Sequence, residues 1–412
     1  MAEKTYWMRA DADFAPEGME DVQLVDGALV LREDCYFGQY VTRETAPGPF
    51  RALAVSWNAQ TPLGADVQVQ VRVRAAGEWS PWLDYGLWST HRACEGKETS
   101  CAFARIEEGV VRLVRASADA FQVRAALHAN ERGDSPQLRA LGVSALRDGE
   151  TWEDGEPLYH RSVPAPGYSA HVRAPALQNT MDLAIAVTAL MNRWGEDVLP
   201  EETAYACRQG EGSGGAAYAA AYVGSYGYES CAVFCDVARL KAEIKRGFAS
   251  AVQMEGGRWM CVRGFDTDED GAQSVFLLDP DAAADAETPC VWTLDELRAR
   301  WTHLAVLTHE RQDVQRPPER IPGELRATDA PGEYALYLKG EAASLPEDGG
   351  TIVCYTVRDG HAYATAAHKH FHYTASVRGG RVTLDTAGLE EGARLTVYLI
   401  RRGIAVVASL TL

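Results

Sequence analysis

Long hydrophobic runs are missing from this chain. No segment approaches the roughly 18 apolar residues that a membrane-spanning helix requires, so no membrane span is expected. The opening residues, MAEKTYWMRADADF, hold no apolar core behind a basic stretch. No secretory signal is therefore readable, and a cytoplasmic location is the expectation. Positive charge is scarce: 40 Lys and Arg stand against 58 Asp and Glu, for a formal charge of -18. That balance repels phosphate backbones and argues against nucleic acid or an anionic membrane as a partner. Cysteine is thin as well, nine in 412 residues, with no C-x-x-C pair among them. This excludes a zinc knuckle or a thioredoxin-like site and points to free thiols in a reducing compartment. Cys94 and Cys101 flank a short polar loop and would be placed to pair if the protein were exported. The Gly- and Ala-rich stretch 211–227 contains Ser-Gly-Gly but lacks the Lys and the preceding strand of a phosphate-binding loop. No internal repeat is evident, and no cofactor is expected.

What is present is an ordinary globular composition, 46% hydrophobic and 24% charged, at a length that suits two or three domains. Residues 1–150 read as all-β. In VQVQVRVR (67–74) the four valines face one way and Gln68, Gln70, Arg72 and Arg74 the other, the period of a half-buried strand. Similar short runs at 28–33, 51–59, 110–116, 121–127 and 139–146 give the spacing of a sandwich or jelly roll. A stretch rich in acid, Gly and Pro at 147–167 reads as a linker. Then MDLAIAVTALMNRW (181–194) is apolar nearly all round, as a central buried helix would be, and stops at Gly195. DVARLKAEIKRG (236–247) is an amphipathic helix; strands at 249–254, 258–265 and 274–280, a helix at 294–301 and a strand at 303–310 follow. Past a Pro-rich linker at 315–324, residues 325–412 return to alternating strands, expected as a small β-sandwich.

Three landmarks stand in order in the centre: Trp194-Gly195, the VRGFD run at 262–266, and Leu278-Asp279-Pro280. In them the region 160–312 resembles the papain-fold, bacteriocin-processing (peptidase C39-like) cysteine peptidases. PFRALAVSWNAQTP (49–62), GEWSPWLDYGLWS (77–89) and FQVRAAL (121–127) resemble the β domain that precedes the peptidase in actinobacterial relatives. The resemblance implies a multidomain α+β protein with an N-terminal β-sandwich at 1–150, a papain-like domain at 151–314 and a C-terminal β domain at 325–412. In that family a Cys opens the central helix, a His opens a later strand, and an Asp or Asn orients the His. The matching positions here are Asp182, Arg258 and Asp279. A carboxylate is a poor nucleophile toward amides, and a guanidinium does not surrender its proton near neutral pH. The resemblance therefore implies a catalytically degenerate member in which Asp182 and Arg258 form a salt bridge. Asp182 capping its helix and Arg258 left in solvent is the plainer alternative. The family's oxyanion Gln would fall near Ala170, with Gln178 a few residues on.

Three functional readings stay open. The first is a degenerate peptidase-fold protein that binds a peptide or cell-envelope ligand. The second is a working cysteine peptidase or amidase with a relocated thiol, drawn from Cys207, Cys231, Cys235 or Cys261, each also a plain small core residue. The third is a carbohydrate binder, in which Trp57, Trp79, Trp82, Tyr85 and Trp88 form a stacking platform in place of a buried core. His368, His370 and His372 share one strand face, a metal-capable pattern that an exposed polar face explains equally well.

Overall fold

A computed structural model describes residues 5–310, apart from 10, 63, 91, 96–98, 115–116, 174–180, 197, 208–214 and 283–287. Beyond them it describes segments 321–338, 348–357, 369–378, 381–384, 394–401 and 404–411. The protein is mostly β.

The N-terminal strands form two layers. One carries Arg92–Glu95, Leu83–Ser89, Asp66–Ala75, Ala118–His128 and Phe37–Val41. The other is centred on Phe50–Gln60 and Gln137–Arg147, paired antiparallel along nearly their full length. A single residue pair, Ala118 with Phe50, links the layers into one hydrogen-bonded sheet. Val67, Val69, Val71 and Val73 are all fully buried, as the alternation predicts. Between the layers Trp57 meets Tyr85 edge-on at 5.6 Å, and Tyr6 meets Phe121 at 5.6 Å.

The central region places five helices against an antiparallel sheet. In chain order they are α1 (Met181–Asn192), α2 (Pro200–Ala206), α3 (Ala216–Ser225), α4 (Val237–Arg246) and α5 (Leu294–Arg300). The sheet runs Glu229–Phe234, Trp301–His309, Ser250–Met254, Trp259–Thr267, Gln273–Leu278, Cys290–Thr293. Helix α4 shows why its ends fall where they do. Asp236 caps it by accepting from the Arg239 N–H at 2.9 Å, and Gly247 closes it with φ +90°, a conformation that disfavours side chains.

The two regions share one continuous hydrophobic core. Their joint also has a polar part. Strand Glu229–Phe234 is an edge of the central sheet, and its outward N–H groups would lack partners. Side chains of the N-terminal sheet supply them. Asn58 accepts from Ser230 N–H at 3.2 Å, Ser56 from Ala232 at 3.3 Å and Ser144 from Phe234 at 2.9 Å. Asn58 also donates to the Ser230 carbonyl at 2.8 Å and the Ala220 carbonyl at 3.4 Å. Asn58 is 5% exposed, so its loss strands several buried groups. Asn58→Ala is expected to cost about 2–4 kcal/mol. Urea denaturation checks this; a change below about 0.5 kcal/mol would mean the edge is held by packing alone.

Two expectations need correction. The stretch 147–167 is no free linker but a docked strap. Trp152 stacks on His303 at 3.9 Å, Asp154 pairs with Arg298, and Arg161–Ser162 adds a short strand beside Phe265 and Gly264. Its acidic and aromatic residues have partners on the central region, which composition alone does not reveal. The C-terminal segment is a closed seven-strand barrel, not a sandwich. Its first strand, Ile321–Ala327, pairs antiparallel with Glu333–Leu338 and also parallel with the last strand, Ile404–Thr411. Alternation is the same in a sandwich and a barrel, and only this closing pair separates them.

Candidate functional site

Helix α1 is apolar because it is enclosed: every residue from Leu183 to Met191 is buried. It packs on strands Trp259–Thr267 and Ser250–Met254. Asp182 lies in its first turn, inside the helix, with its side chain 30% exposed toward the end of the sheet. Arg258 reaches that end through a tight turn whose Gly256 and Gly257 adopt φ +79° and +81°. Asp279 arrives from the neighbouring strand, which pairs Leu278 with Cys261. Helix, turn and strand thus bring all three positions together.

The geometry ranks the contacts. Arg258 Nη2 donates to Asp279 Oδ1 at 2.6 Å, a charge-assisted hydrogen bond. Its Nε is 3.8 Å from Asp182 Oδ2, an ion pair without hydrogen-bonding distance, and its Nη2 is 3.9 Å from Asp281 Oδ2. One guanidinium therefore serves three carboxylates. Burial pushes the Asp182 carboxyl above its ordinary range; Arg258 opposes this, and Asp279 and Asp281 add to it.

The segment before α1 closes over the same turn. Ala170 N–H donates to the Pro280 carbonyl at 2.8 Å, Ser169 Oγ to the Ala282 carbonyl at 2.6 Å, and His171 Nε2 lies 3.1 Å from Asp281 Oδ1. Ala170 thus offers no side-chain donor where an oxyanion group would be wanted. Gln178 lies outside the described residues. Sequence reasoning missed Asp281 and His171; the Asp-Pro-Asp spacing at 279–281 is the signal that would have found the first.

The four thiols weighed as relocated nucleophiles are poorly placed for the task. Cys207, Cys235 and Cys261 are buried. Burial pushes the Cys231 and Cys261 thiols up to about 12, and those of Cys207 and Cys235 higher still. Such thiols stay protonated at neutral pH, whereas active nucleophiles are shifted downward. Cys290, at the start of the last sheet strand, is also raised, by burial first and by Asp279 second. Cys101 carries a free thiol; the side chain of Cys94 lies outside the described residues.

The tryptophans divide. Trp57, Tyr85 and Trp88 are core. Trp79 and Trp82 are half-buried and interleaved with guanidiniums. Arg72 lies 4.7 Å over Trp79 and 4.8 Å over Trp82, Arg124 4.7 Å over Trp82, and Arg74 5.6 Å over Trp79. A ring face covered by arginine is not open to a sugar. His368 lies outside the described residues; His370 and His372 lie on strand Lys369–Arg378, their side chains outside the description. Among the described residues no group of three His, Cys, Asp or Glu side chains is arranged to hold a metal. Nor is any helix there long and apolar enough to cross a membrane.

The class these observations define is a β-rich chain whose central helix and sheet converge on an Asp–Arg–Asp cluster. Residues 16–145 match the family model of the peptidase C39 N-terminal domain. That match covers the runs at 49–62, 77–89 and 121–127 and bears out the resemblance of this N-terminal region to the β domain of peptidase C39-like relatives; the landmarks at 194–195, 262–266 and 278–280 lie outside it. No curated protein matches the chain. Among solved structures, one similar chain is a double glycine motif protease from an AMS/PCAT transporter, in complex with the leader peptide. It is 13% identical with a TM-score of 0.29, over 37% of this chain and 96% of that one. Another is the glycoside hydrolase domain of Endo-D from Streptococcus pneumoniae R6, 7% identical with a TM-score of 0.18, over 93% of this chain and 33% of that one. A third comprises the CBM51-2 and INT domains of Clostridium perfringens ZmpB, 9% identical with a TM-score of 0.16, over 99% of this chain and 80% of that one. Scores this low carry no argument about function.

Proposed function

We propose that this chain is a catalytically degenerate peptidase C39-like protein whose papain-like centre binds an extended peptide or cell-envelope ligand without cleaving it. In this reading the chain divides into a β domain at 1–150, the degenerate peptidase unit at 151–314 and a C-terminal β domain at 325–412. The observation that carries it is the cluster itself: Arg258 hydrogen-bonds Asp279 and approaches Asp182, so the places of base and nucleophile are filled by a guanidinium and a carboxylate in one ion network. An extended ligand has somewhere to lie. Strand Cys290–Thr293 is the outer edge of the sheet on this side, nine residues after Asp281, and its Val291 is 60% exposed. An edge strand that carries an exposed apolar side chain suits strand addition.

The relocated-thiol reading is less favoured because the buried thiols shift the wrong way. Labelling the purified protein with an electrophilic cysteine-peptidase probe, mapped residue by residue by mass spectrometry, tests this. All nine thiols are expected to react slowly near neutral pH. One thiol reacting about a hundredfold faster than the rest would overturn the proposal. Binding is read separately, by retention of peptides from a random library: enrichment lost in Val291→Asp supports strand addition, and no enrichment at all refutes peptide binding.

A further inference from the structure

A second site lies away from the Asp182 cluster, where the N-terminal sheet meets the edge of the central sheet. A cleft of about 690 Å³ opens there between the Thr5–Met8 strand, the Glu229–Phe234 strand and α4. Its size is that of a small-ligand pocket. Val233, Phe234 and Leu307 give it an apolar floor, and charged groups from four elements line the rest.

The charges are layered. Glu243 is buried, its side chain 1% exposed, and its Oε1 takes both Arg239 Nη2 at 2.8 Å and Arg246 Nη1 at 3.4 Å. Its Oε2 takes His309 Nε2 at 3.0 Å. Glu229, 13% exposed, pairs with Arg9 Nη1 at 2.6 Å and stands 3.9 Å from His309 Nδ1. In front of these carboxylates the guanidiniums of Arg9, Arg239 and Arg246 are 52%, 47% and 53% exposed. The acids orient, and the cations face the opening. In the lining Arg9, Arg147, Arg239 and Arg246 stand with Glu150, Glu153, Glu229 and Asp236, so the preference for an anion rests on the half-exposed guanidinium forks and not on net charge. Arg147 pairs with Glu150 at 3.3 Å, and Asp236 caps α4 and accepts from the Glu153 N–H at 3.4 Å. Each guanidinium has five N–H donors in a planar fork and spends only part of them here.

We infer that this cleft binds a small ligand through an oxyanion group, carboxylate or phosphate, held by Arg9, Arg239 and Arg246 with its apolar part on the floor. The inference is independent of the reading given to the Asp182 cluster.

Calorimetric titration of the full chain with inorganic phosphate and with citrate, against chloride at matched ionic strength, tests it. Saturable binding of either anion, weakened at least about tenfold in the Arg9→Gln, Arg246→Gln double variant, is the expected result. Both side chains are half-exposed, so the variant is expected to keep the wild-type circular dichroism and melting curve; a variant that does not is replaced by Arg246→Lys, which keeps the charge and loses the fork. Phosphate alone binding would assign a phosphate ester, citrate alone a carboxylate. No saturable heat for either anion up to about 10 mM, or equal binding by wild type and variant, would overturn the site.

Discussion

Combining Asp182→Cys with Arg258→His is expected to produce a thiol at position 182 that alkylates about a hundredfold faster at pH 6 than any of the nine native ones. The scaffold for such a thiol is already in place. Position 182 is in the first turn of α1, where the positive end of the helix stabilises an anion. The side chains at 182 and 258 approach to 3.8 Å, so a thiolate and an imidazolium would be neighbours. Asp279, now 2.6 Å from Arg258, would hold the imidazole in one tautomer. An ordinary thiol is under about 1% ionised at pH 6, whereas one paired with an imidazolium is largely ionised, hence the hundredfold. A rate profile from pH 4 to 9 is the measurement. A flat, slow profile at residue 182 would show that the cluster is not a vestige of a cysteine–histidine pair. Adding Asp279→Ala to the double variant is expected to return most of the gain.

Gly215→Ala is expected to be the most damaging single change, above about 3 kcal/mol of stability and enough to prevent soluble expression at 37 °C. A Cβ on Gly215 would lie 2.0 Å from the Glu108 carbonyl oxygen and 2.2 Å from the Gly109 nitrogen. Those are backbone atoms of the turn joining strands Ala104–Glu107 and Val110–Leu113, and they have little room to give. Gly109 holds φ +75°, and the Glu108 side chain is fastened to Gln253 at 2.7 Å. The N-terminal sheet would be pushed off the start of α3. Denaturant midpoints of the purified variant provide the check, and a loss below about 1 kcal/mol would mean the turn moves freely.

How much of this was legible beforehand depends on how local the cause is. The valines at 67–73 announce their strand because alternation against one core is a property of eight consecutive residues. The ends of α4 are equally local, an Asp at one and a Gly at the other. The edge strand Glu229–Phe234 was missed because its burial runs intermediate, buried, intermediate, then three buried, which breaks the period of two. Nothing in the surroundings of Asn58 marks it as the partner of a strand more than 170 residues later. At the candidate site the positions Asp182, Arg258 and Asp279 could be named from landmarks. That Arg258 hydrogen-bonds Asp279, and only approaches Asp182, depends on ångström-level placement of a helix over a sheet. The arginines of the second cleft come from opposite ends of the first 250 residues, and only the joint between the sheets assembles them.

The side-chain capping of the Glu229–Phe234 edge has a consequence for how the molecule is made. Ser56, Asn58 and Ser144 are all synthesised well before that strand. When the strand emerges, a ledge with matched donors and acceptors is waiting for it. The N-terminal half thereby covers one of the two borders of the central sheet, which would otherwise be open to a second molecule. Expressed without its first 150 residues, the central region would carry that border bare, and its expected fate is self-association.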